Sequence, residues 1–235
     1  LGTRRLCSFE ALARWRHSKL GWISPAEFIP ISEQLGVLDE VSRALLRRAA
    51  TAARDWPSSV RLSFNLSTVQ LCATGCAAKI LADLSLHQFD PGRLQVEVTE
   101  TALLADFDAA RANLSRLRER GVCIALDDFG AGYSSISYLR EIRFDAVKLD
   151  GSMVTLAAQG GDDLALLRGV IALCDSIGLP CIAEHIENDR QLEQLRDLGC
   201  EYGQGFHLSA PMGAAAAAAL TSGEIRPLQP RRAAA

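Results

Sequence analysis

The chain has 235 residues, 49% hydrophobic, 23% charged and 6% aromatic. That balance excludes disordered, collagen-like and coiled-coil chains and fits one large folded domain or two small ones. Lys and Arg total 25 against 28 Asp and Glu, a formal charge of -3, so no broad basic face exists for a DNA or RNA polymer or an anionic membrane, while a small anionic ligand stays allowed.

In chain order, CSFEALARW reads as a strand. A helix over Val37–Arg54 follows, with Val37, Val41, Leu45 and Ala49 as its apolar stripe. VRLSFNLS is a strand, Gln70–Leu84 a weaker helix and LQVEVTE a strand. A helix begins after Asp106, aligns Phe107, Ala110, Leu114 and Leu117, and stops at Gly121. VCIALDDF is a strand, Ser134–Glu141 a weak helix and FDAVKLD a strand. Asp162–Ile177 is helical, with Leu164, Leu167, Ile171 and Cys174 as core, and PCIAEHIE is a strand. Asn188 or Asp189 caps a helix bearing Leu192, Leu195 and Leu198 that ends at Gly199. EYGQGF is a short strand, Ala214–Ala219 a helix, and residues 224–235 a loose tail after a domain spanning 1–223.

The seven cysteines, Cys7, Cys72, Cys76, Cys123, Cys174, Cys181 and Cys200, are odd in number, and several lie in apolar runs. They read as reduced core thiols of a cytoplasmic protein. Cys72 and Cys76 with His87 make a poor zinc template. The longest uncharged run, Tyr202 to Gly223, contains Gln204, His207, Ser209 and Pro211 and is not a membrane span. No signal peptide is visible, and the first residue is not Met, so the chain is expected to be a piece of a longer protein.

Strict β/α alternation predicts a parallel sheet with helices outside, either closed as a barrel or open and doubly wound. Each strand carries a polar residue near its C-terminal end: Glu10, Asn65, Glu97, Asp127 with Asp128, Lys148 with Asp150, Glu184 and Gln204. Charged groups in apolar strands are costly to bury unless paired or metal-bound. Their recurrence favours a barrel, where the strand ends converge, over an open sheet. No glycine-rich phosphate loop follows any strand. Seven strands are visible where a barrel of this class has eight, so one is expected upstream of residue 1. Several carboxylates with an Asn, and no matching His or Cys cluster, form a hard-oxygen donor set suited to Mg²⁺ or Mn²⁺. Two such ions are the usual means of hydrolysing phosphate esters. The alternative is a rim of structural ion pairs.

FEALARW, GWISPAEFIPISEQLGVL, FNLSTVQL, EVTET, DDFGAGYSSISYL, KLDGSMV, AEHIEN and QGFHLSAPM occur in this order. In that order and spacing the chain resembles the EAL domain, the family of cyclic di-GMP phosphodiesterases, from residue 1 to about 213. The resemblance implies a TIM-like (β/α)8 barrel with an antiparallel first strand, the one ahead of Glu10. It implies a metal held by Glu10, Asn65, Glu97 and Asp127, a second ion shared between Asp127 and Asp128, and Glu184 as a further ligand. Lys148 matches the lysine acting on the attacking water, with Glu184, Gln204 and Glu10 completing the catalytic set. Leu12, Arg14, Asp150, Gln204 and Pro211 match substrate contacts. Glu100, Glu187, Gly130 and Gly132 match supporting positions, Glu100 anchoring the loop from Asp128 to Ser135. The implied reaction opens cyclic di-GMP to linear pGpG with Mg²⁺ or Mn²⁺ and no organic cofactor. The implied partners are a second copy of the chain and upstream sensor or GGDEF cyclase domains.

His185 and Ile186 stand where the family usually has Gly and Val, and Ala131 where threonine is common. An imidazole at a strand end crowds the substrate, moves Glu184 or adds a proton donor. Arg14 reads equally as a solvated charge, Glu187 as a helix-dipole partner, Glu100 as a turn cap and His207 as a packed or rim histidine. Two further readings remain: a cyclic di-GMP receptor without turnover, and a dimerising regulatory scaffold.

Overall fold

The computed structural model describes residues 1–3, 5–131 and 136–222. The chain divides into two compact units, Cys7–Cys123 and Leu1–Leu6 with Ile124–Ala235.

In the first unit, β1 (Ser8–Glu10) is followed by an antiparallel hairpin, β2 (Trp15–His17) and β3 (Gly21–Ile23). The expected single strand CSFEALARW therefore breaks. Ala11 makes its last ladder bond to the Ser63 carbonyl, and Trp15 pairs instead with Ile23. The turn lacks an Asn-Gly signal. His17 Nδ1 closes it, accepting from the amides of Lys19 and Leu20 at 3.2 Å each.

Next come α1 (Pro25–Gln34) and α2 (Leu38–Ala53). Ser24 caps α1, with Pro25 in its first turn. On α2 the predicted stripe Val37, Val41, Leu45, Ala49 is displaced by one residue: Leu38, Ser42, Leu46, Ala50 and Ala53 are buried, and Val37 is exposed. Both stripes repeat every four residues; the inward one carries alanines, whose small side chains admit a close neighbour.

β4 (Arg61–Asn65), α3 (Thr68–Cys72), α4 (Cys76–Leu86), β5 (Leu94–Thr99), α5 (Glu100–Ala105) and α6 (Phe107–Glu119) complete the unit. The single helix predicted over Gln70–Leu84 is two, broken where Gly75 takes φ +79°. Buried Asn113 of α6 satisfies the break. Its Nδ2 donates to Leu71 O at 2.8 Å and Ala73 O at 3.1 Å, and its Oδ1 accepts from Ala77 N at 3.3 Å. α6 follows expectation, with Asp106 capping, Ala110, Leu114 and Leu117 buried, and Gly121 at φ +87° beyond its end. β1, β4 and β5 are parallel, with Glu10 opposite Ser63 and Asn65 opposite Glu97.

The second unit takes most of β6 (Cys123–Phe129), then α7 (Ile136–Glu141), β7 (Ala146–Leu149), α8 (Gly151–Ala157), α9 (Gly161–Ser176), β8 (Cys181–Ala183), α10 (Asp189–Asp197), β9 (Tyr202–Gly203) and α11 (Ala214–Thr221). β6 to β9 run parallel in chain order. Leu167, Ile171 and Cys174 line the inner face of α9, whereas Leu164 is only half-buried. Asn188 caps α10 by accepting from Gln191 N at 3.0 Å, and Gln191 accepts in return from Glu187 N at 2.8 Å.

These parallel strands, alternating with helices from β4 onward, give the α/β class of a TIM-like barrel. Burial confines the core-thiol expectation to Cys76, Cys174, Cys181 and Cys200. Cys7 is exposed, and Cys72 and Cys123 are half-buried at element ends. Gly132 and the tail 224–235 lie outside the described residues.

Candidate functional site

In the first unit the predicted residues sit at the C-terminal ends of β1, β4 and β5. Asn65 Nδ2 donates to Glu10 Oε1 at 2.7 Å, and Asn65 is the register partner of Glu97. Parallel pairing with alternating side chains therefore places Glu97 beside Asn65 on one face. Glu97 is 2% exposed and accepts from the Ser63 hydroxyl and from Gln95 Nε2. Glu100 is buried in the first turn of α5, and the cap of that helix is Thr99 rather than Glu100. Leu12 and Arg14 are exposed, Arg14 donating to the neighbouring Ala13 carbonyl at 2.8 Å.

In the second unit, Lys148 on β7 is 2% exposed, an unusual burial for an ammonium group. Its Nζ lies 2.7 Å from Glu184 Oε1 and 3.1 Å from Asp127 Oδ1. Carboxylate oxygens of Asp127, Asp128 and Glu184 lie within 4.8 Å of one another. Burial, then the charges of Asp127 and Asp150, push the Asp128 carboxyl above the usual range, against the opposing pull of Lys148 and His185. Asp128 also takes φ +54°, a left-handed conformation that Asp tolerates better than most residues. Three convergent carboxylates are hard oxygen donors of the kind Mg²⁺ or Mn²⁺ takes.

The surroundings fix this cluster from several sides. Gln204 N donates to Ala183 O at 2.8 Å and Ile186 N to Gln204 O at 3.1 Å, so Gln204 is tied to the segment carrying Glu184. Asp150, predicted as a substrate contact, caps α8 through Ser152 N at 3.0 Å. Gly130 takes φ +95°, a conformation that strains a residue with a Cβ, and a Cβ there would also displace the Met153 thioether, whose Sδ it would meet at 2.1 Å. Glu187 and Pro211 are exposed. His207 is packed, its ring 3.1 Å from Asp189 Oδ1. Ser63 and Gln95 were not singled out from sequence. Their signal is period two: each lies two residues before a predicted ligand on the same strand.

A family model described as EAL domain matches residues 1–211. The bifunctional diguanylate cyclase/cyclic di-GMP phosphodiesterase MucR of Pseudomonas aeruginosa is 35% identical over 209 residues, which cover 87% of this chain and 30% of MucR. The structure of the MucR phosphodiesterase in complex with cyclic di-GMP aligns with a TM-score of 0.86 at 34% identity, covering 91% of this chain and 88% of that one. An uncharacterised protein of Sinorhizobium fredii is 38% identical over 220 residues, 94% of this chain and 27% of that protein. The structure of Klebsiella pneumoniae BlrP1 with manganese and cyclic di-GMP aligns with a TM-score of 0.76 at 28% identity, covering 87% of this chain and 51% of that one. The chain spans about a quarter to a third of the length of curated relatives that it matches. Among the described residues no helix is long and apolar enough to cross a membrane.

Proposed function

The chain belongs to the EAL domain family, and from that premise we propose that it is a metal-dependent phosphodiesterase that hydrolyses cyclic di-GMP to linear 5'-pGpG. The observation that carries the proposal is the buried Lys148 held between Asp127 and Glu184, inside a cluster of three carboxylates. A lysine buried to 2% exposure is costly unless paired, and such clusters concentrate where proton transfer or anion stabilisation is required.

We assign metal binding to Glu10, Asn65 and Glu97 of the first unit and to Asp127, Asp128 and Glu184 of the second. Mg²⁺ or Mn²⁺ held by these residues, two ions on this reading, would supply Lewis-acid charge to phosphoryl oxygens and lower the pKa of a bound water. Lys148 is fixed by two acceptors and so presents its ammonium in one orientation, where it directs that water. Glu184 holds Lys148, and Gln204 is locked beside Glu184 by its two backbone bonds. Water oxygen forms the new bond to phosphorus, the bond to the 3' oxygen breaks, and the departing oxygen takes up a proton, leaving a 5'-phosphate. Arg14, exposed near β1, is suited to a phosphate contact. The same reading assigns the substrate to bacterial second-messenger signalling in the cytoplasm, with a homodimer and sensor or cyclase domains as partners.

The test is incubation with cyclic di-GMP and Mg²⁺ or Mn²⁺, with nucleotides separated over time. The proposal predicts pGpG from the parent, none with EDTA, and none from Glu10→Ala or Asp127→Ala. Equal turnover by parent and both variants would reject the assignment.

A further inference from the structure

We infer that Ser63 and Gln95 are positioning residues for the Glu97 carboxylate, an inference that rests on Glu97 being a metal ligand. β4 and β5 are parallel, with Ser63 opposite Gln95 and Asn65 opposite Glu97. Side chains two apart share a face, so residues 63 and 95 form a rung directly beneath the rung of 65 and 97. The opposite faces of both strands are apolar, with Leu62, Phe64, Val96 and Val98 all buried. The inward positions of parallel α/β strands are normally filled by branched apolar side chains. Here that rung is polar and sealed from water, with Ser63 at 2% and Gln95 at 6% exposure.

The hydrogen bonds give this rung a direction. Gln95 Nε2 donates to Ser63 Oγ at 3.0 Å and to Glu97 Oε1 at 3.3 Å, and the Ser63 hydroxyl donates to the same Oε1. A hydroxyl has one proton. With Gln95 supplying a donor to its oxygen, that proton is committed to the carboxylate. Glu97 Oε1 thus receives two donors from one buried rung, which fixes the rotation of the carboxylate about its terminal bond. Burying a serine and a glutamine in an apolar strand pair disfavours folding unless their hydrogen bonds are made. Spending both on a single ligand oxygen is the arrangement that orients metal-binding carboxylates from behind.

The variants are Ser63→Ala, Ser63→Thr and Gln95→Leu, and the probe is Mn²⁺, its free concentration followed by electron paramagnetic resonance without substrate. Melting temperature in EDTA reports folding, and kcat and KM are measured at saturating Mn²⁺. The expected result is an approximately tenfold or greater rise in the Mn²⁺ Kd for Ser63→Ala and Gln95→Leu, with KM for cyclic di-GMP unchanged and the affinity retained in Ser63→Thr, which restores the hydroxyl. Unchanged Mn²⁺ affinity in folded Ser63→Ala and Gln95→Leu overturns the inference, as does a Ser63→Thr affinity as weak as that of Ser63→Ala. A parent protein that binds no Mn²⁺ and leaves cyclic di-GMP intact refutes the metal-site reading itself, an outcome separate from the first two.

Discussion

His185 takes a backbone φ of +53° in the segment that follows β8, a left-handed conformation that costs a residue with a Cβ roughly 1–2 kcal/mol. Its ring lies across Gly151. A Cβ added at Gly151 would stand 1.7 Å from His185 Nδ1 and 2.3 Å from Cγ. Cγ is the root of the ring, so a small tilt gives no relief and the whole imidazole must swing away. Gly151→Ala should therefore destabilise the protein by about 1–2 kcal/mol, the lower part of the range for overpacking, because His185 is exposed and its ring can swing into solvent. In a His185→Gly background the obstacle is gone. Gly151 does not have a positive φ and opens helix α8, so the same substitution should stabilise by about 0.5–1 kcal/mol through the unfolded chain. The sign reverses between backgrounds, with a coupling of about 2 kcal/mol. Urea denaturation of the four proteins in EDTA measures it. Additivity to within about 0.5 kcal/mol would refute the reasoning.

Other consequences are testable in the same format. Lys148→Met leaves Asp127 and Glu184 facing each other without their shared cation; removing one member of a buried ion pair costs about 3–5 kcal/mol. At about 2–4 °C per kcal/mol for a chain of this size, melting in EDTA should fall by roughly 10 °C, and an unchanged melting temperature contradicts the pairing. Asp128 has a raised pKa, so the folded protein holds its proton more tightly than the unfolded chain does. Its ionisation then opposes folding, and stability falls as pH rises from the ordinary value of 3.8 through the raised one. Asp128→Asn should be more stable than the parent in EDTA at neutral pH, with the gap closing as pH falls to 3.8. Asn also suits φ +54°. A variant less stable than the parent at neutral pH counts against this.

Much of the fold is legible as period: apolar runs of strand length alternating with helices that end on Gly121 and Gly199, both at positive φ. The site is legible because acids, Asn and Lys interrupt those runs at their C-terminal ends, where an apolar core has no use for them. What was missed has physical causes. The α1 pattern is obscured by Pro30 inside the helix, although Ser24–Pro25 signals its start. The β2–β3 hairpin turns on a histidine ring rather than on Asn-Gly. The stripe of α2 slipped because two adjacent rows of small and apolar residues satisfy the same spacing. Asp150, expected as a substrate contact, also caps α8 through Ser152 N, because an acid at the end of a strand that runs into a helix suits the first amides of that helix. Ser63 and Gln95 are small or neutral, and the role inferred for them rests on their burial and hydrogen bonds against Glu97, which composition does not reveal.

The most direct test of the central claim is to run the reaction on cyclic di-GMP with Mn²⁺ in ¹⁸O-labelled water and to weigh the product. Attack of water on phosphorus predicts a linear dinucleotide carrying one ¹⁸O on its 5'-phosphate, formed by the parent and absent with Glu10→Ala. Cyclic di-GMP recovered intact after prolonged incubation, or a linear product without the label, would contradict the account.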